Sequence, residues 1–269
     1  MSLPEQMARH RAEMPPETRP ILDARSLGSH PRLAALLRPG LAVLDVGCGT
    51  GAIARDIAEA VAPQGRVVGV DVNVAFIEEA RRRHAGVAGL SFEVRDIYVL
   101  AFDRIFDLVS AARVLQWLAR PLDAVRQLVA AARPGGTVVL LDYNHEKVRW
   151  APDPPASTRA FYEAFLRWRA DAGMDNAIAD HLASMFRDLG FADVVTEAAH
   201  ETTRRGEPDF ELRIGIWADV MASRGHQMVQ DGALSESDRR LAEAEYRVWI
   251  RDTAESQMMY LCSVEGVRR

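Results

Sequence analysis

Short apolar runs alternate with helix-like stretches between residues 42 and 141. An apolar run without polar alternation is typical of a strand that is buried on both faces, as in a parallel sheet. Helices between such strands imply βαβ crossovers that cover both sides of the sheet. The predicted strands are 42–46, 67–72, 90–94, 106–111 and 137–141, and the predicted helices are 50–62, 74–84 and 122–132. The sequence therefore predicts an α/β fold with a mostly parallel sheet and helices on both faces.

Length, charge and cysteine content disfavour several classes of protein. The chain has 269 residues, 48% of them hydrophobic, and a formal net charge of −5. This size suits one large domain with or without an insertion, and the acidic balance disfavours a nucleic-acid groove or an anionic membrane surface. Cys48 and Cys262 are far apart and have no partner cluster, so we expect no disulfide framework and no metal site. Because the N-terminus has no apolar signal region, we expect a cytoplasmic protein.

The second half of the sequence is less regular and predicts an insertion. Helices are predicted over 156–172 and 180–189, strands over 192–198 and 258–264, and a mostly helical stretch before the last strand. Pro15, Pro16 and Pro20 divide the N-terminal segment into short helices. We therefore expect a core over 1–203, a helical lid over 204–252 and the last core strand within 253–269.

The stretch VLDVGCGTGA, from Val43 to Ala52, places a glycine turn directly after the first strand. The turn matches the dinucleotide-binding pattern G-x-G-x-x-A, which is a weak signal by itself. Asp71 lies 20 positions beyond Gly51, where a carboxylate at the end of the second strand can accept hydrogen bonds from a ribose diol. These features leave a nicotinamide-dependent oxidoreductase open as one interpretation.

Two further acids favour a different ligand. Asp45 precedes the first glycine, where it would repel the pyrophosphate of a dinucleotide and attract a cation. S-adenosylmethionine carries an ammonium and a sulfonium, and its ribose still needs an acceptor. Asp96, in FEVRDI at the end of the third strand, can accept from the adenine amine, while the N–H of Ile97 meets a ring nitrogen. The acids therefore predict S-adenosylmethionine as the cofactor, although aspartate is also common in solvated turns at strand ends.

Five segments resemble, in order and spacing, the motifs of the class I S-adenosylmethionine-dependent methyltransferases. They are VLDVGCGTG, VVGVDVN, VRDI, FDLVSAARVLQWL and LVAAARPGGTVVLLDYN. Within the class, the sequence is similar to the branch that contains the ubiquinone/menaquinone C-methyltransferases and many small-molecule methyltransferases. The resemblance implies a seven-stranded Rossmann-like sheet of order 3-2-1-4-5-7-6, with strand 7 antiparallel.

The resemblance also assigns cofactor residues, which lie at or just beyond the carboxyl ends of the predicted strands. The glycine turn would contact the methionine moiety of the cofactor. The acid at the end of the second strand would bind the ribose, and the residues after the third strand would bind the adenine edge. The assigned residues are Asp45, Gly47, Cys48, Gly49, Gly51, Asp71, Val72, Asp96, Ile97 and Ala112, with Ala111 as an alternative to the last.

Candidate catalytic and substrate residues follow the fourth and fifth strands. His145 is the candidate general base, because the usual pKa of histidine, near 6.5, suits proton removal at neutral pH. Tyr143 lies beside it, and a structurally bonded loop histidine is the alternative. Arg113 and Gln116 follow the fourth strand as substrate candidates, and the arginine can pair with an acidic substrate group or cap a helix.

Aromatic and methionine side chains in the predicted lid favour an apolar acceptor pocket. Trp217 and Met221 are the candidates to face a cavity near Tyr143 and His145. The alternative is that both side chains only attach the lid helices to the core.

The residues after the fourth strand also bear on the substrate class. The Asp/Asn-Pro-Pro-aromatic motif of DNA amino-methyltransferases is replaced there by SAARVL, which argues against a nucleic-acid substrate. The sequence therefore predicts methyl transfer from S-adenosylmethionine to a small molecule through oxygen, nitrogen or carbon. A nicotinamide-dependent oxidoreductase and a cofactor-binding protein without catalysis remain alternatives. We expect no nucleic-acid or membrane partner, and the oligomeric state stays open, with a homodimer as one option.

Overall fold

The computed structural model describes residues 2–14 and 22–269. Pro15, Pro16 and Pro20, which divide the predicted N-terminal helices, lie outside the described residues. The strands are β1 (Ala42–Val46), β2 (Arg66–Asp71), β3 (Leu90–Val94), β4 (Phe106–Ala112), β5 (Ala132–Ala151), β6 (Val194–Ala198), β7 (Glu201–Arg204) and β8 (Ser256–Val267).

The sheet has the order β3-β2-β1-β4-β5-β8-β6. The strands from β3 to β5 in this order are parallel, whereas β8 is antiparallel to both β5 and β6. β7 also pairs with β8, next to the segment that β6 pairs with. β6 is the expected sixth strand, and β7 is an additional strand that the sequence analysis did not predict. The predicted fold class and strand order are confirmed.

Helices cover both faces of the sheet, as the crossover pattern requires. Leu44 and Val46 of β1 pack with helices α5 and α7, whereas Val43 packs with α3 and α4, because successive side chains of a strand point to opposite faces. The helices are α1 (Leu3–Ala12), α2 (Pro31–Leu36), α3 (Ala52–Val61), α4 (Val74–Arg83), α5 (Pro121–Ala131), α6 (Ala156–Asp171), α7 (Ile178–Asp188), α8 (Phe210–Ile214), α9 (Ile216–Ala222), α10 (Arg224–Gln230) and α11 (Glu236–Asp252).

Strand β5 continues past the predicted end at residue 141. It reaches Ala151 because β8 is long enough to pair with it again after an irregularity in register between Asn144 and Arg149. His145 is therefore the first residue of a bulge within a strand, and not part of a loop after the strand. A bulge redirects side chains out of the regular alternation, which is a common device next to functional sites.

The segment after β7 is mostly helical, as predicted. Its helices α8 to α11 share one hydrophobic cluster with α6 and with the carboxyl half of β5. Trp217 and Tyr246 lie in this cluster beside Phe165 and Trp168 of α6. No helix in the described part of the chain combines the length and the apolar character that crossing a membrane would require.

Candidate functional site

A cavity of about 990 Å³ lies at the carboxyl ends of β1, β2, β4 and the regular part of β5. Its walls come from the glycine turn, the residues after β2, β3 and β4, the start of the β5 bulge, and helices α1, α6, α9 and α10. In an open α/β sheet, this edge is where ligands bind. The volume is near the upper end of the range for small-molecule sites, about 300–1,000 Å³.

The glycine turn follows β1 and packs tightly against Val114, two residues beyond the end of β4. Gly47 and Gly49 have φ angles of +73° and +54°, in the left-handed region that favours glycine. The N–H groups of Gly47 and Cys48 both donate to the Val70 carbonyl oxygen, at 2.7 and 3.0 Å. Gly47, Cys48 and Gly49 line the cavity, whereas Gly51 lies outside its lining, close to the Phe92 ring.

Replacing Gly47 with alanine is expected to destabilise the protein by more than the left-handed φ alone would. The new Cβ would lie 2.3 Å from Cγ2 of Val114, so the turn must shift. Gly40→Ala is the matched control, because Gly40 has φ +87° but no atom within 4 Å of the added Cβ, and it should cost only about 1–2 kcal/mol. Denaturant unfolding measures both variants. Val114→Ala should recover part of the Gly47→Ala loss, and equal losses for the two alanine variants would contradict the steric argument.

Asp71 joins the end of β2 to the glycine turn. Its Oδ2 accepts from the Gly49 N–H at 3.0 Å and its Oδ1 accepts from the Asn73 N–H at 2.9 Å. Burial raises the pKa of Asp71, and these backbone hydrogen bonds oppose that rise. Each carboxylate oxygen retains a lone pair for a further donor such as a ribose hydroxyl. Val72, the next residue, is exposed and lines the cavity.

Asp96 and Ile97 line the part of the cavity after β3. Asp96 accepts from the Tyr98 N–H at 3.0 Å and forms an ion pair with Arg9 of α1. The N-terminal helix therefore forms one wall of the cavity next to this strand end. The sequence analysis missed Arg9, because an ion pair between residues 87 positions apart leaves no local signal.

Asp45 lies inside the core and is absent from the cavity lining. It is 4% exposed, and its Oδ2 has no hydrogen-bond partner among the described residues. Burial and then the nearby Asp71 charge raise the pKa of Asp45 to about 7. The expectation that this carboxylate meets a ligand cation at the mouth of the turn therefore needs correction: Asp45 is buried below the turn, where its charged form is disfavoured.

His145 is held by Gln116 in a defined tautomer. Gln116 Nε2 donates to the Arg113 carbonyl, at 3.1 Å, so its Oε1 accepts the bond from His145 Nε2–H, at 2.7 Å. The buried carboxylate of Asp142 accepts from the Gln116 N–H and fixes this turn. Nδ1 of His145 has no partner in the described chain. Burial, followed by the Arg169 charge, lowers the pKa of His145 well below its usual value, so the ring is a neutral base.

Tyr143 belongs to a cluster of charged groups that the sequence did not reveal. Its hydroxyl accepts from Arg25 at 3.1 Å and from Arg113 at 3.0 Å, and lies 3.3 Å from Glu201. Glu201 also forms ion pairs with both arginines. Although burial raises the pKa of Glu201, the two guanidinium groups hold it below its usual value. Arg113 is thus already neutralised by a carboxylate of this chain.

The lid candidates differ in position. Trp217 lines the cavity and packs edge-to-face on His145 and Tyr162, with ring centroids 6.1 and 4.7 Å apart. Met221 was predicted to face the same cavity, but it is buried in the hydrophobic cluster outside the lining. The face of α9 that reaches the cavity instead carries Ile216 and Val220 with Trp217. Ala112 lines the cavity at the end of β4.

Known proteins are similar to this chain in sequence and in fold. A 37.1 kDa uncharacterised protein in transposon Tn4556 of Streptomyces fradiae is 33% identical over 203 residues, which span 69% of this chain and 59% of that protein. The demethylmenaquinone methyltransferase of Lactococcus lactis is 27% identical over 65% of this chain and 78% of its own length. In fold, the chain is similar to phosphoethanolamine N-methyltransferase 2 of Haemonchus contortus in complex with phosphomonomethylethanolamine and S-adenosylhomocysteine. The TM-score is 0.56 at 16% identity, over 90% of this chain and 52% of that one.

A family model described as a methyltransferase domain matches residues 37–185, the part of the chain that contains the glycine turn and β1 to β5. The expected family and its cofactor, S-adenosylmethionine, are thereby confirmed. The chain belongs to the methyltransferase-domain family and has the fold of its S-adenosylmethionine-dependent members.

Proposed function

We propose that this protein transfers a methyl group from S-adenosylmethionine to a small-molecule hydroxyl or amine. The observation that carries the proposal is that the glycine turn, Asp71 and His145 line one cavity. A carboxylate for the ribose and a neutral imidazole for the acceptor therefore border one cavity. The matched Lactococcus lactis enzyme is named for a quinone substrate, which supports an acceptor that is not a macromolecule.

The residues present fit the cofactor. The turn leaves no room for a side chain at Gly47, and Asp71 keeps free lone pairs at the end of β2. Asp71 would hold the ribose, Val72 would pack on the adenine, and Asp96 with Ile97 would bind the adenine edge. When bound, S-adenosylmethionine supplies a methyl group already activated on a sulfonium.

We call the part of the cavity around His145 the acceptor half, and several of its side chains are aromatic. Trp117, Phe165 and Trp217 line it and would exclude water from the reacting atoms once the acceptor is bound. His145 Nδ1 would take the proton of the acceptor group. Because its pKa is low, this imidazole suits a hydroxyl or amine proton that becomes strongly acidic as the new bond forms, rather than ionisation beforehand.

The direct test is a panel of phenols, catechols, alcohols and amines with labelled S-adenosylmethionine, read out as S-adenosylhomocysteine. Turnover of at least one acceptor is expected, and calorimetry should show binding of S-adenosylhomocysteine but not of NAD. Binding of NAD alone would contradict the proposal. Cofactor binding without any turnover across the panel would favour a non-catalytic binding protein.

Replacing Trp217 with phenylalanine is expected to raise KM for the acceptor severalfold and to leave S-adenosylhomocysteine affinity unchanged. The indole lines the cavity and packs against His145, the proposed base for the acceptor. Met221→Leu is the matched control from the same helix, because Met221 is outside the lining. Steady-state kinetics and calorimetry separate the two effects. Equal effects of both substitutions on KM would show that the helix acts only through packing.

A further inference from the structure

Arg224, the first residue of α10, is a buried cation in the wall of the cavity. It is 3% exposed, and the groups that it contacts among the described residues are all uncharged. Nη1 donates to the carbonyl oxygens of Arg11 and Glu13, Nη2 contacts the Met14 sulfur, and Cζ lies 4.0 Å from the centre of the Trp117 ring. These contacts fix the side chain without balancing its charge.

A second buried arginine lies on the same ring, where the charges of Asp142 and Asp175 offset its own in part. Arg169 is fully buried, with Cζ 4.6 Å from the centre of Trp117, and it donates to Asn176 Oδ1 and to the Gln116 carbonyl. Within residues 2–14 and 22–269, no carboxylate forms an ion pair with Arg224 or Arg169. Burial, then the Arg169 charge, lowers the pKa of Arg224 to about 9.

Other buried arginines of this chain are paired. Arg113 has Glu201, Arg11 has Asp231, and Arg239 has two glutamates. Buried charges are normally paired, since an isolated ion loses its hydration without compensation. Arg224 therefore has no counter-ion among the described residues, and a ligand in the adjacent cavity would supply one.

We propose that Arg224 binds an anionic group, a carboxylate or a phosphate, of the acceptor molecule. This inference rests on the proposed function and specifies its substrate class: an anionic group on an aromatic or apolar body that carries the reacting hydroxyl or amine. The aromatic side chains of Trp117, Phe165 and Trp217 line the same cavity as Arg224 and His145 and suit such a body. Arg113 does not fill this role, because Glu201 already neutralises it.

The test uses matched small probes on the full chain saturated with S-adenosylhomocysteine. Benzoate and phenyl phosphate are compared by calorimetry with benzamide and phenol. At least one anion should bind about tenfold or more tightly than its neutral partner, since hydrogen bonds to a charged group are worth about one decade or more in affinity. The benzoate and phenyl phosphate arms distinguish a carboxylate from a phosphate.

Substitutions at Arg224 test whether this residue causes the preference for anionic probes. Arg224→Gln should abolish the preference for anions, whereas Arg224→Lys should retain part of it. Arg240→Gln is the matched control, because Arg240 is 74% exposed and pairs with Glu236 on the surface of α11, so the preference should be unchanged. S-adenosylhomocysteine affinity and the thermal transition show whether each variant is folded.

Two results would overturn the inference. One is equal affinity of the wild-type protein for anionic and neutral probes, which needs no variant. The other is a preference for anions that survives in folded Arg224→Gln. The proposed function fails in a different way, by absence of S-adenosylhomocysteine formation across the acceptor panel while the preference for anions persists.

Discussion

Replacing His145 with alanine is expected to lower kcat by about 10²–10⁴-fold, the usual contribution of a general base. The affinity for S-adenosylhomocysteine should not change, because His145 lies on the acceptor side of the cavity. His200→Ala is the matched control. Its ring bonds the Leu261 backbone and is absent from the cavity lining, so kcat should stay near the wild-type value. A His145→Ala enzyme with normal kcat would remove this residue from the chemistry.

The pH dependence of kcat tests whether His145 acts as a base, because a residue with only a packing role would not affect it. The pKa of His145 is well below 6.5, so the imidazole stays neutral and kcat should be flat from pH 8 to below 6.5. In Gln116→Glu, a carboxylate would face Nε2–H, raise the pKa of His145 and move the acidic fall in kcat to higher pH. Gln116→Leu lacks that charge and should lower kcat without this shift. If kcat of Gln116→Glu fell at the same acidic pH as in the wild type, the hydrogen bond assigned between Gln116 and His145 would be contradicted.

Replacing Asp71 with alanine is expected to weaken S-adenosylhomocysteine binding by at least about tenfold, because charge-assisted hydrogen bonds to the ribose are lost. The protein should also lose stability, since the buried Gly49 N–H would lose its acceptor, at a cost of about 1–3 kcal/mol. Calorimetry and denaturant unfolding measure the two effects. Asp71→Asn keeps one oxygen acceptor and should lie between the wild type and the alanine variant. Unchanged cofactor affinity would place the ribose elsewhere.

The cofactor half of the site was largely predictable from the sequence. Strand periodicity fixed where β1 to β4 end, and a parallel sheet brings those ends together at one edge. Gly47, Asp71, Asp96 and Ile97 therefore lie together as expected. The stabilising role of Asp71 was not predicted, because its bonds to Gly49 and Asn73 depend on the folded turn.

The acceptor half was less predictable, because its contacts join distant parts of the chain. Arg25 and Glu201 are 176 positions apart, and no spacing rule relates them. His145 depends on a bulge that only the long partner strand β8 creates. Trp217 and Met221 share a helical face by spacing, yet only Trp217 reaches the cavity, since the orientation of α9 is set by packing against α11.

Some segments of the cavity wall lie inside the range that the family model matches, and others lie outside it. The glycine turn and the strand ends lie within residues 37–185, which the family model matches, whereas α1, α9 and α10 lie outside that range. Mutations in the outer segments can reshape the wall without disturbing the sheet that presents the glycine turn. Natural selection can therefore change part of the acceptor wall, at Trp217 and Arg224, without changing the segment that carries the glycine turn.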